Sequence, residues 1–233
     1  MIALNLEHDP YPGFGNQVIF ISQYYRWCKL NAQKPIIYTK TPEKVYGIKK
    51  DLFEFVTEKP NELIDPPCTL PSLFNIKTLG YMNKVIDIPD IKIPDNIEAG
   101  FCFRIGDSEF DNELVFMNET CIEKMCDIMK QFKKVFVCSN KNSFVETLIE
   151  KFGNDKIFTL NKLGDNLRFN NSGLCQWSAL SKCPLIFHHV KTIGGPSNEI
   201  TTTFAPTAGV YGGCEIIGVD NNGNIFQTDR YHW

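Results

Sequence analysis

Arg104 follows the apolar run Ala99-Gly-Phe-Cys-Phe103 and precedes Ile105-Gly-Asp107. The run reads as a short buried strand, and the polar residues after it as a turn at its carboxyl end. A guanidinium at that point is awkward for packing. It is well suited to gripping an anion, because its planar fork of donors matches phosphate oxygens. A strand-end ion pair would use the same residue types. Asp107 would either hold the arginine or shape the loop by accepting backbone amides.

Three further segments carry polar groups where a strand ends. Gly13-Phe-Gly15-Asn16 lies between a first strand and a helix. Its glycines let backbone approach a ligand, and a helix start favours negative charge; a tight turn before a helix cap has the same composition. It is neither a dinucleotide-binding G-x-G-x-x-G nor a Walker A loop. Val135-Phe-Val-Cys-Ser139-Asn140 is a strand ending in two polar residues. The loop Ile193 to Phe204 offers the hydroxyls of Ser197, Thr202 and Thr203 at a helix start, which suits a diphosphate or a ribose. Simple hydroxyl capping explains it equally. Phe204 either stacks on a base or packs in the core. In an open α/β sheet, ligands bind off the carboxyl ends of the strands, and all four segments fall there.

Candidates for proton transfer are few. Asp9, with Glu7 and His8 beside it, follows the first strand and is the candidate base on the acceptor side; loop solvation is the competing use. His188 and His189 end a strand, where a structural role is the commoner one. Trp177 reads as core. Nine cysteines are scattered without zinc spacing, so buried thiols in a reducing cytoplasm are expected, and no metal site.

With 233 residues, the chain can build one large domain or two small ones. A net charge of −3 argues against a general nucleic-acid binder. No apolar run reaches the ~18 residues of a membrane span, and no secretory leader is expected from the first residues.

These residues need elements to hold them. Strands are expected over 2–6, 35–38, 84–88, 99–104, 134–139, 156–160, 184–188 and 214–219. Helices are expected over 17–31, 118–132, 142–152 and 173–181, with a small one after the loop 192–203. Residues 52–56 fit a helix or a strand, 89–94 an extended linker, and the tail 221–233 no element. The alternation predicts parallel, doubly wound sheets. The expected boundary divides 1–96 from 97–233.

Together the segments resemble the fucosyltransferase superfamily of GT-B glycosyltransferases, which includes the protein O-, α1,6- and α1,2-fucosyltransferases. Gly13-Phe-Gly-Asn-Gln17 is similar to its Gly-x-Gly-Asn-Gln segment. Phe103-Arg-Ile-Gly-Asp107 is similar to its His-x-Arg-Arg-Gly-Asp motif, and Ser139-Asn140 to its strand-end Ser/Thr-Asp. Leu180-Ser-Lys-Cys183 and Thr201-Thr-Thr-Phe204 are similar to its Leu-Ser-x-Cys and Ser-Thr-Phe-Ser segments. Phe103 or Cys102, the latter two residues before Arg104, stands where the family has His, and Ile105 where it has a second Arg.

The resemblance implies a GT-B-like fold of two Rossmann-like domains, the N-terminal, acceptor-side one reduced. It implies an inverting, metal-independent transferase that moves a sugar from a GDP-sugar, GDP-fucose by default, to a glycan or protein hydroxyl. Arg104 would hold the diphosphate and Asn16 would reach the donor. Thr202, Thr203 and Phe204 would contact diphosphate and nucleoside. Another deoxysugar such as rhamnose, a non-catalytic nucleotide or sugar binder, and a nucleotide-sugar epimerase are the alternatives.

Overall fold

The computed structural model describes residues 2–7, 14–64, 76–106, 117–161, 172–192, 199–201 and 204–227. The chain divides into two compact units, one running to Ile88 and one beginning at Pro89.

The first unit contains β1 (Ile2–Asn5), α1 (Phe14–Leu30), β2 (Ile36–Tyr38), β3 (Glu54–Val56), β4 (Glu62–Ile64) and α2 (Ile76–Val85). Its strands form a parallel sheet in the order β3-β2-β1-β4. Val18, Ile21, Tyr25 and Cys28 recur at helical spacing and bury one face of α1. On that helix the Tyr24 hydroxyl accepts from Ile36 N at 3.1 Å and donates to Ile2 O at 2.9 Å, closing the gap between β1 and β2.

Two expectations change here. α1 begins at Phe14 rather than Gln17, so Gly15 and Asn16 stand in its first turn and not in a loop before it. Phe14 is buried and stacks on Tyr46 with ring centroids 5.6 Å apart, which anchors that extra turn. The expected strand at 84–88 is instead the end of α2 followed by a single bridge from Ile86 to Ile48. The buried residues Met82, Val85 and Ile86 sit at i, i+3 and i+4, which is helical spacing. The ambiguous stretch near residue 52 resolves into a 3-10 turn, Lys50–Leu52, and β3.

The second unit contains β5 (Ala99–Phe103), α3 (Glu119–Met129), β6 (Val135–Ser139), α4 (Asn142–Phe152), β7 (Ile157–Phe158) and α5 (Ser172–Leu180). It continues with β8 (Leu185–Thr192), β9 (Glu199–Thr201), α6 (Phe204–Gly212), β10 (Glu215–Val219) and β11 (Ile225–Gln227). Among the described residues the sheet runs β11-β10-β8-β5-β6-β7, with β9 added to β8. The five strands from β10 to β7 are parallel; β9 and β11 are antiparallel additions.

Alternation along the strands separates two apolar faces. Phe101, Phe103, Val135, Val137 and Phe187 meet Cys121, Met125 and Met129 of α3 and Val145 and Leu148 of α4. Phe101 and Phe187 stack at 4.8 Å. Gly100 and Ile186 face the other way, under α5 and α6. A Cβ on Gly100 would lie 2.7 Å from Leu180 Cδ1, so this glycine lets α5 sit directly on β5. Trp177 is buried there, and its indole N–H donates to Thr207 Oγ1 at 3.0 Å.

The loop expected over 192–203 contains β9, which returns along β8 with Val190 opposite Thr201 and Thr192 opposite Glu199. The unassigned tail supplies β11, which pairs with β10. Residues 89–91 are strapped to α5 and to the turn after it. Ser178 Oγ donates to Pro89 O at 2.7 Å, and Lys182 donates to Ile91 O at 2.7 Å and pairs with Asp90.

Candidate functional site

The second sheet has one place where its order reverses. β5 comes first in the chain and lies in the middle. The chain then builds outward through β6 and β7, and returns to build β8 and β10 on the opposite side of β5. In open α/β sheets this switch point opens a crevice at the carboxyl ends of the two flanking strands, here β5 and β8. Arg104 is the first residue after β5, half-buried at that crevice. β8 runs past the last residues it pairs with β5 and β10, His188 and His189, and carries the β8–β9 hairpin beyond the edge.

The main chain at Arg104 is fixed from both sides. On one side, Arg104 N donates to Met117 Sδ at 3.3 Å, and Met117 N donates back to Arg104 O at 3.1 Å. On the other, Ile105 N donates to Asn140 Oδ1 at 2.8 Å, and Asn140 Nδ2 donates to Ile105 O at 2.8 Å. Two residues therefore satisfy all four backbone groups of the dipeptide that carries the guanidinium. The Ile105 side chain packs on the α3/α4 side of the core, which accounts for an aliphatic residue at that position.

β6 ends in the same region. Ser139 is buried, and its hydroxyl accepts from Lys141 N at 3.1 Å. Lys141 Nζ donates to Gly106 O at 3.4 Å, placing a second cation beside the Arg104–Gly106 segment. Asn161, two residues beyond Thr159, clamps Ser139 in turn. Ser139 N donates to Asn161 Oδ1 at 3.3 Å, and Asn161 Nδ2 donates to Ser139 O at 2.8 Å. Lys141 and Asn161 were not among the sequence candidates. The available signal was a polar residue just past each strand end, which the Thr159-Leu-Asn161 sequence provides.

The other strand ends are tied by the same chemistry. Asn118 Oδ1 accepts from Cys121 N at 2.9 Å as the cap of α3. Its Nδ2 donates to Asn221 O at 2.8 Å, and its N–H donates to Asn221 Oδ1 at 3.0 Å. Asp220, after β10, accepts from Asn222 N and Asn224 N at 2.9 and 2.8 Å. Hydrogen bonds from Asn222 and Asn224 hold its carboxyl below the usual range, against the desolvation of burial.

The structure thus brings Arg104, Ser139 and Asn140 together and places Phe204 at the start of α6 in the same unit. Asn140 proves to be committed to the main chain. Gly15 and Asn16 lie in the first unit, where only the backbone of Asn16 is described. Asp9, Gly13, Asp107, Ser197, Thr202 and Thr203 lie outside the described residues.

The titratable groups buried in this unit are poor proton carriers. Burial pushes the His188 imidazole down to about 3, and this residue is fully enclosed in β8. Burial raises the Cys121 and Cys183 thiols to about 12 and Cys214 to about 11. Cys138 is raised by its hydrogen bond with Cys102 and by burial. All described cysteines are free thiols. Among the described residues, no group of His, Cys, Asp and Glu is placed to hold a metal ion, and no helix is long and apolar enough to cross a membrane. In the first unit, Glu7 accepts through Oε1 from Thr39 Oγ1 at 3.0 Å and from Lys40 N, bracing the end of β2.

No family model and no curated protein sequence matches the chain. Solved structures do. NodZ α-1,6-fucosyltransferase co-crystallised with GDP is 12% identical over 98% of this chain and 97% of its own, with a TM-score of 0.62. NodZ soaked with GDP-fucose is 13% identical over 98% of each chain, with a TM-score of 0.59; the enzyme is known from Bradyrhizobium. A mutant of Arabidopsis thaliana FUT1 in complex with GDP is 9% identical over 94% of this chain and 70% of its own, with a TM-score of 0.56. The chain has the fold of the GT-B fucosyltransferases.

Proposed function

We propose that this protein is a glycosyltransferase that moves a sugar, L-fucose in the first instance, from a GDP-sugar to a hydroxyl of a glycan or protein. The observation that carries the reading is Arg104, held at the switch point of the second sheet with the backbone around it fixed on both sides. NodZ and FUT1, which share the fold, were solved with GDP.

The chemistry follows from charge. The acceptor oxygen attacks the anomeric carbon, and the bond to the diphosphate oxygen breaks with inversion. The acceptor proton leaves to a base, for which Asp9 is the candidate. Negative charge builds on the departing diphosphate. Without a metal, a fixed guanidinium must meet it, and fixed donors stabilise such charge without reorganising at the moment of reaction. Lys141 adds a second cation, and Asn140 positions Arg104 through Ile105. Ser139, Asp107, Ser197, Thr202, Thr203 and Phe204 complete the proposed donor-binding set, Phe204 against the nucleoside. In this reading residues 97–233 hold the donor and 1–96 serve the acceptor, with Gly13, Gly15 and Asn16 as the polar contribution of that half. Free buried thiols support work in a reducing compartment, the cytoplasm.

A thermal-shift panel of GDP, UDP, dTDP and their sugars tests the donor. Mass action raises the melting temperature for whatever binds the folded state. The reading expects GDP and GDP-fucose to give the largest shift and fucose transfer to follow. No shift with any nucleotide would contradict it. Binding without transfer or hydrolysis would favour a non-catalytic binder.

A further inference from the structure

We infer that Asn161 is a positioning residue for the Arg104 segment, acting in relay through Ser139 and Asn140. The inference rests on the donor-site reading above for its functional consequence, and on hydrogen-bond geometry for its mechanism.

Parallel strands β5, β6 and β7 are staggered. β7 pairs with β6 only as far as Phe136, opposite Phe158, whereas β6 pairs with β5 up to Ser139, opposite Phe103. The last residues of each strand therefore lack a main-chain neighbour on one side. Side-chain amides replace it. Asn161 takes both backbone groups of Ser139, and Asn140 takes both backbone groups of Ile105. Each asparagine acts as one more peptide unit of a neighbouring strand, with a donor and an acceptor at the right separation. The two clamps are in series because Asn140 directly follows Ser139.

Asn161 is itself fixed. It is 7% exposed. Thr159 Oγ1 accepts from its N–H at 3.1 Å and donates to its Oδ1 at 3.3 Å. Its Nδ2 also donates to Asn142 Oδ1 at 2.6 Å, joining the clamp to the first turn of α4. Its amide is thus locked in one orientation, and only Asn offers both a donor and an acceptor at this reach. Loss of the Asn161 amide frees Ser139, and with it the angle at which Asn140 meets Ile105.

The test is residue-resolved amide hydrogen exchange on the intact chain, with Asn161→Ala and the similarly branched, neutral Asn161→Leu. Either variant is expected to speed exchange at Ile105 about tenfold, the scale of one lost hydrogen bond, while Phe101 in β5 stays protected. Should the alanine variant fail to fold, the leucine variant carries the test, because it stays neutral, fills the site and loses only the amide's hydrogen bonds. GDP titrated by calorimetry gives the functional arm. Its dissociation constant should rise about tenfold in Asn161→Ala, with no further rise when Asn161→Ala is added to Asn140→Ala. A residue that merely supports β7 would lower the melting temperature and leave Ile105 exchange and GDP affinity unchanged; that result overturns the inference. If the wild type binds no GDP, the donor reading fails, and the exchange rate at Ile105 still decides the relay.

Discussion

The side-chain amide of Asn140 pairs with the main chain of Ile105 in both directions, accepting its N–H and donating to its carbonyl, each at 2.8 Å. The pair extends the β5–β6 ladder beyond its last residues, Phe103 and Ser139, and fixes the segment that presents Arg104. Asn140→Ala removes both bonds and leaves two half-buried backbone groups without their partner. The expected loss is about 1–3 kcal/mol of stability, read from urea unfolding, together with weaker GDP binding measured on the folded variant.

Lys141 is expected to act on charge alone. Its ammonium is tethered to Gly106 O and faces the same segment as Arg104. Lys141→Ala should weaken GDP binding by about tenfold, the scale of one lost charge-assisted hydrogen bond, and leave guanosine binding unchanged. Calorimetry with both ligands separates the diphosphate contribution from that of the nucleoside. Equal losses for both would place Lys141 outside the diphosphate site.

His188 ties stability to pH. Burial holds its folded imidazole at about 3, against an ordinary value of 6.5. Below about pH 6.5 the unfolded chain takes up a proton that the folded chain refuses. Stability therefore falls as the pH falls through the window from about 6.5 to 3. The two values correspond to a loss of about 2 kcal/mol between neutral pH and pH 5. Denaturant unfolding across that range should show the slope, and His188→Asn should flatten it.

Gly212 marks the tightest contact between α6 and the turn after α5. A Cβ there would lie 1.8 Å from Ser181 O, a backbone atom that cannot swing aside. Gly212→Ala is expected to cost about 3 kcal/mol or more through forced backbone movement. Thermal unfolding measures it.

The parts of the fold legible in the sequence are those whose apolar runs are long and bounded. β5, β6 and α4 fall where the residues place them, since Val135-Phe-Val-Cys138 can only be buried and Gly153, at φ +89°, ends α4 as a glycine stop should. Short elements were legible only where they are apolar, as in β2 and β7. β4 has three residues, and β9 lies in a Gly/Ser/Thr-rich stretch whose strand character comes from pairing with β8 rather than from propensity. Lys84–Ile88 misled because Val85 and Ile86 are adjacent, and the third member of their helical stripe, Met82, lies outside that stretch. The site was half legible. Arg104 stood out as a charge at the end of a buried strand. Asn140 also stood out as a polar strand end, but its main-chain partner Ile105 did not, because sequence shows an amide's presence and not what it bonds. Asn161 and Lys141 stand just past strand ends, a weak signal shared by many loop residues; their meaning depends on the register between β5, β6 and β7.

The central claim is that Arg104 grips a nucleoside diphosphate. Calorimetric titration of GDP into the wild-type chain and into Arg104→Ala, both confirmed folded by their melting curves, tests it most directly. The account predicts saturable GDP binding by the wild type and a loss of at least about tenfold in Arg104→Ala, the scale of a charged, bidentate contact. Equal GDP affinity in the two proteins, or no GDP binding by the wild type, would contradict it.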